Sequence, residues 1–421
     1  MRIAVKNGRI VNPGGLTEGD IAIKDGVVEK IGAIDGKFDE IIDAGGMIVM
    51  PGLIDMHVHL RDPGFEYKED IFSGTAAAAK GGFTAVACMP NTDPVIDNEG
   101  IVTYILEKAR EAGKARVYPI AAITRGQKGE EISEIGLLKE AGAVAFSDDG
   151  HPVMNSGIMR LAMLYGRTFD ALLIDHCEDL NLLNDGVMNE GDESTMIGLR
   201  GITRAAEETM EARDIILART YGTRVHLAHI STRGAVEMVR DAKKAGVQVT
   251  CETCPHYFTA DETWVDGYDS NTKVNPPLRT KDDVAAIKEG LADGTIDCIV
   301  TDHAPHHADE KNVEYDIAAN GISGIESSVA LTLALVREGV ITYDRMAELM
   351  SGNPAGLLKV EGGIIAEGKA ADITIIDPDA KYVFTKESMI SKGKNSPFIG
   401  REMQGRAAVT IVGGRIVYDG R

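Results

Sequence analysis

The chain has 421 residues, 44% hydrophobic and 26% charged, a balance that suits a globular protein with a sizeable core and leaves no apolar run of the ~18 residues that a membrane span needs. Asp plus Glu number 65 against 44 Lys plus Arg, and the formal charge of −21 argues against nucleic acid and anionic membrane as partners. Cys88, Cys177, Cys251, Cys254 and Cys298 are too few for a disulfide framework, and the start MRIAVKNGRI lacks the apolar segment of a secretory signal, so a cytoplasmic protein is expected.

Residues 1–50 read as short strands broken by glycine turns: IAVKNGRIV, DIAIKDGVVEKIG and EIIDAGGMIVMPG. Alternating apolar residues punctuated by Asn-Gly, Asp-Gly and Gly-Gly predict hairpins. The middle then alternates strand-like and helix-like segments. LIDMHVHL (53–60), TAVACMP (84–90), VYPIAAIT (117–124) and AVAFSDD (143–149) come first. ALLIDHCED (171–179), RVHLAHIS (224–231), VQVTCET (247–253) and DCIVTDHAPH (297–306) complete a set of eight. Alanine-rich helical stretches such as EDIFSGTAAAAKGG and DDVAAIKEGLADG lie between them. Eight βα units in sequence predict a TIM-type (β/α)8 barrel over 51–361. From Gly362 the style of the N-terminus returns in ADITIIDPDA, KYVFT and AAVTIVGGRIVYDG, and NGRIV at 7–11 is echoed by GGRIV at 413–417. Residues 1–50 and 362–421 are therefore expected to build one composite β-sandwich; two separate appendages are the alternative.

The chemistry-bearing residues fall at strand ends. His57-Val58-His59 closes the first strand, where residues two apart point the same way. Ten histidines in 421 residues make such a pair weak evidence alone. However, Asp149, His176, His229 and Asp302 end the fourth, fifth, sixth and eighth predicted strands, the rim at which barrel enzymes gather catalytic groups. Four imidazoles and two carboxylates suit Zn, Mn or Co better than calcium or magnesium, and a carboxylate at Asp149 could bridge two ions. The planar fork of Arg61 can hold a carboxylate through two charge-assisted bonds. Asn91 and Asn275 can donate and accept, though both also suit turns. Cys251-x-x-Cys254 lacks a second pair, and His226, three residues from His229 on a strand, is expected to face away and pack.

PGLIDMHVHLRDPG at 51–64 resembles the opening signature of the amidohydrolase superfamily. With MPNTDPV, SDDG, DHCED, LAHIS, NPPLR and TDHAPH following in order, the whole chain resembles class I dihydroorotases. The resemblance implies two Zn2+ per subunit, with Mn or Co as substitutes. His57, His59 and Asp302 would hold one ion, His176 and His229 the other, with Asp149 between them. It assigns substrate contacts to His59, Arg61, Asn91, Asn275, His306 and Gly321. Many relatives carry a carboxylated lysine at the bridge, but AFSDDG has none and Lys139 lies on the preceding helix. An aromatic-glycine pair of many relatives is here Asn320-Gly321, on a long polar segment that could close over the site. The implied reaction is reversible cyclisation of N-carbamoyl-L-aspartate to L-dihydroorotate in pyrimidine biosynthesis. A hydroxide held at the metals would attack the ring amide, with Asp302 as general base and then acid. Allantoinase, hydantoinase and dihydropyrimidinase activities, or a metal-free assembly subunit, are the alternatives. A homodimer and association with aspartate carbamoyltransferase are left open.

Overall fold

The computed structural model describes residues 1–421. Eight strands form one parallel sheet in chain order: Leu53–Val58, Phe83–Cys88, Arg116–Ala121, Ala145–Ser147, Leu173–Asp175, Val225–Leu227, Val249–Thr253 and Cys298–Ile299. The first two are buried at every position, as strands covered on both faces must be. Side chains alternate between two cores. Phe83 and Val86 pack outward under the helices, whereas Ala85 and Ala87 join Ile54, Ile120, Ile174 and Val300 inside the ring. Polar groups close the seam between the last strand and the first. The His59 N–H donates to the His303 carbonyl at 2.8 Å, and the buried Asp55 carboxylate accepts from the Thr301 N–H at 3.1 Å.

Helix ends follow local chemistry. Ile71–Gly81 begins because the Asp70 carboxylate accepts the Ser73 N–H in a capping box, and it stops at Gly82, whose φ of 92° is easy only for glycine. Thr280 and Asp283 form the same device ahead of Lys281–Asp293.

The two termini meet in a six-stranded sheet. Ile48–Pro51 pairs antiparallel with Ile373–Ile376, so strands from opposite ends of the chain lie side by side. Arg9–Asn12 and Gly15–Thr17 extend one edge, and Glu402–Val412 and Arg415–Asp419 the other. A four-stranded sheet of Arg2–Lys6, Asp20–Lys24, Val27–Gly32 and Glu40–Asp43 accompanies it, and Ile3, Ile23, Val49, Ile375 and Ile411 share one core. Two hairpins turn on Asp25-Gly26 and Gly413-Gly414, with positive φ at both positions of each turn. The sandwich is thus composite, and separate appendages are excluded by the shared sheet. No helix is long and apolar enough to cross a membrane. The carboxyl ends of the barrel strands open on one rim, which carries the polar residues described next.

Candidate metal centre

Asp149 stands at the middle of this rim. Its Oδ1 lies 3.3 Å from His57 Nε2, 3.5 Å from His229 Nε2 and 3.6 Å from His176 Nδ1, while Oδ2 lies 3.4 Å from His59 Nε2. Asp302 Oδ1 is 3.1 Å from His59 Nε2 and 3.6 Å from His57 Nε2. Two groups of ligand-capable atoms result: His57 with His59 and Asp149, and Asp149 with His176 and His229, in each of which all atoms lie within 4.8 Å of one another. Asp149 is common to both.

The outer partners of the imidazoles set which nitrogen faces inward. His57 Nδ1–H donates to Glu252 Oε1 at 2.6 Å, and His59 Nδ1–H to Asn91 Oδ1 at 2.8 Å. With those protons outside, both Nε2 atoms present lone pairs to the carboxylates of Asp149 and Asp302. Acceptors then face acceptors in a buried place, which a cation relieves. His57 Nε2, Asp149 Oδ1 and His229 Nδ1 are buried without a hydrogen-bond partner. This donor set fits a divalent transition metal, and the arrangement can bind metal. Burial pushes the Asp149 and Asp302 carboxyls up, but positive charge facing them, carried by the imidazoles when these take a second proton in place of a cation, outweighs it and holds both below the usual carboxylate range. Burial likewise opposes ionisation of Glu252, yet His57 and His226 hold it down at about 2.

Three residues of this rim have left-handed backbone. Arg61, His229 and Asp302 have φ of 60°, 31° and 45°, a region that costs a non-glycine residue about 1–3 kcal/mol and persists only where the surroundings enforce it.

A cavity of about 220 Å³ opens over the centre, lined by 13 residues of which only Ala304 is apolar. Its other wall is cationic. Arg61 is buried, donates from Nε to the Pro305 carbonyl at 3.2 Å, and brings Nη2 to 3.3 Å from His306 Nε2. Burial and the charges of Arg61 and Lys68 push His306 down to about 3, so its imidazole is neutral. Its single proton has two competing partners, Glu310 Oε2 at 3.2 Å from Nδ1 and the Asn320 carbonyl at 2.8 Å from Nε2.

The Dihydro-orotase-like family model matches residues 46–235. A dihydroorotase of Geobacter metallireducens is 54% identical over 99% of this chain and 100% of its own length. One from Acetivibrio thermocellus is 53% identical over 98% of both chains. The chain belongs to the dihydroorotase family. Among solved structures, L-hydantoinase (dihydropyrimidinase) from Arthrobacter aurescens superposes with a TM-score of 0.89 at 27% identity, covering 99% of this chain and 96% of that one. The fold is therefore shared with a hydantoinase at 27% identity.

Every site residue named from the sequence lies in this region, with some refinements. His57, His59, Asp149, His176, His229 and Asp302 converge as described, and Arg61, Asn91, Asn275, His306 and Gly321 line the cavity. Asn91 also orients His59, and Asn275 Nδ2 donates to Glu178 Oε2 at 3.1 Å, which sits 3.5 Å from His176 Nε2. The N–H of Gly321 is already given to the Lys273 carbonyl at 2.9 Å. Lys139 donates to the carbonyls of Phe169 and Asp170, just before the fifth strand begins and away from the rim. His226 is buried and stands outside both metal-capable groups, as its strand position predicts, but it does more than pack: its Nε2 meets Glu252 Oε2 at 3.1 Å and its Nδ1 lies 2.8 Å from Thr250 Oγ1. Glu252 and Glu178 were missed. Their signal was a carboxylate at the end of the seventh strand, the one metal-side strand with no assigned group, and another two residues past His176.

Proposed function

We propose that this chain is a metal-dependent dihydroorotase, closing N-carbamoyl-L-aspartate to L-dihydroorotate and opening it again. The observation that carries the reading is the opposition, across a cavity with one apolar side chain, of a buried guanidinium to a histidine–carboxylate cluster. Such a space suits a small anionic ring and offers nothing to an apolar substituent. His57, His59 and Asp302 would hold one ion, His176 and His229 a second, and Asp149 both; zinc is the natural choice for this donor set, with manganese or cobalt as substitutes. When bound, the ions supply Lewis acidity to the ring carbonyl and lower the pKa of water. Asp302 takes the proton of the attacking water and passes it to the leaving ring nitrogen. Arg61 and His306 grip the ring carboxylate, with Asn91 and Asn275 orienting the ring. Residues 1–50 and 362–421 form the composite sandwich unit and 51–361 the catalytic barrel.

A substrate panel tests the reading. The metal-loaded chain should interconvert carbamoyl aspartate and dihydroorotate and leave hydantoin, allantoin and dihydrouracil largely untouched. Ring closure consumes a proton near neutrality, since two carboxylates become one. Each pH unit should therefore shift the equilibrium about tenfold. Faster turnover of a neutral ring would sink the assignment.

A further inference from the structure

Between the strands Ile373–Val383 and Glu402–Val412 the chain leaves the sandwich, and Phe384, Met389 and Phe398 join the core between barrel and helices. This excursion touches the rim at Asn395, which is 3% exposed. Its Nδ2 donates to the carbonyls of Ala304 at 3.0 Å and Gly321 at 2.9 Å. Its Oδ1 accepts from the backbone N–H of His306 at 2.9 Å and lies 2.9 Å from the Ser323 hydroxyl, whose single proton is shared between Oδ1 and the Gly393 carbonyl, also at 2.9 Å. A carbonyl only accepts and a backbone N–H only donates, so the orientation of the amide is dictated and both of its donors are used. Close packing supports the same contact. A Cβ added at Gly393 would lie 2.6 Å from Pro305 Cβ and 2.7 Å from the His306 nitrogen.

We propose that Asn395 is a positioning residue for substrate binding. It ties together the two passes of chain that carry His306 and Gly321, and so sets where the imidazole stands relative to Arg61. This rests on the reading that His306 and Arg61 hold the ring carboxylate. Few side chains could do the same. Aspartate would press an anionic oxygen against two carbonyls. Alanine would leave the buried His306 N–H and Ala304 carbonyl without these partners and the Gly321 carbonyl with Lys311 alone.

The test uses the metal-loaded full chain and the variants Asn395→Asp, Asn395→Ala and Gly393→Ala, the last of which keeps the amide and displaces the contact sterically. Bound metal should be unchanged, hydrogen exchange over residues 304–323 should accelerate, and KM for dihydroorotate should rise about tenfold or more with kcat less affected. In a His306→Ala background the same Asn395→Asp change should alter KM less than about twofold, because its effect travels through His306. An equal KM penalty in both backgrounds overturns the proposal, as does unchanged exchange over 304–323 or metal lost in step with KM. If an Asn395 variant fails to fold, Gly393→Ala decides between these outcomes by the same readouts. A wild-type chain inert toward dihydroorotate defeats the functional reading instead, and the exchange comparison then still decides whether Asn395 holds the rim.

Discussion

Arg61 combines a left-handed backbone with a guanidinium bonded to Pro305 and set against His306, so its fork is held before substrate arrives. An ammonium cannot reproduce that planar pair of donors. Arg61→Lys should therefore raise KM for dihydroorotate by about tenfold or more while leaving metal content intact. Equal losses on dihydroorotate and on a neutral ring would mean that Arg61 supports the fold instead. Asp302 offers a different test. Asparagine keeps an oxygen in place but cannot carry a proton, so Asp302→Asn should lose at least ~10²-fold in both directions. Metal analysis beside the rates separates proton transfer from ligation: near-normal turnover with metal bound would assign the proton to another group. Behind the ligands, Glu252→Gln keeps the shape of the contact to His57 and removes its charge. Metal affinity should drop ~10–100-fold, read by chelator competition without any activity assay.

At the scale of elements, the single turn Ala308–Lys311 anchors the rim segment. Lys311 is buried, and its ammonium donates to the carbonyls of Ala319 at 2.7 Å and Gly321 at 3.2 Å. Burial, aided by Lys273 and opposed by Asp269, pushes it down to about 7. The sign follows from proton counting. Between that value and the ordinary 10.5 the unfolded chain binds the proton and the folded chain has released it, so this group makes stability climb with pH in that window. Below pH 7 both states are charged and the full cost of burying the ammonium is felt. Lys311→Met should flatten the climb by up to ~1.4 kcal/mol per pH unit in urea unfolding between pH 7 and 9. An identical slope in both proteins would contradict a depressed Lys311.

For the molecule as a whole, the sheet shared by both termini couples distant parts of the chain. Deleting residues 402–421 removes two of six strands and bares the long edge of Ile373–Val383. The chain should then be recovered as aggregate, the usual fate of an unprotected edge. A soluble truncate that still binds metal would show that the barrel stands alone. The number of ions is also a property of the assembled rim. Elemental analysis should give two per chain, and bicarbonate should not be needed for loading, since no lysine lines the cavity. One ion with full activity would remove Asp149 from its proposed bridging place.

Much of this was legible in the residues because it depends on local period and side-chain chemistry. FTAVAC is apolar or small on both faces, and LIDMHV is broken only by Asp55 and His57 on one face, so both mark covered parallel strands wherever the helices fall. Histidines and aspartates at the ends of those strands must collect on one rim once the barrel closes. Turn chemistry at Asp25-Gly26 and Gly413-Gly414 needs only the two residues themselves. What the sequence alone did not determine is which groups become partners across the closed ring. Glu252 meets His57 from 195 residues away, and Asn395 reaches His306 across 89. A lone glutamate or asparagine has no period that betrays such a partner. The bond from His226 to Glu252 was hidden for the same reason, although its place off the metal-side cluster follows from its strand position. Residue type and strand order decided the candidate ligand set and the architecture; only the closing of the barrel, and the return of the C-terminal chain to its rim, decided what orients them.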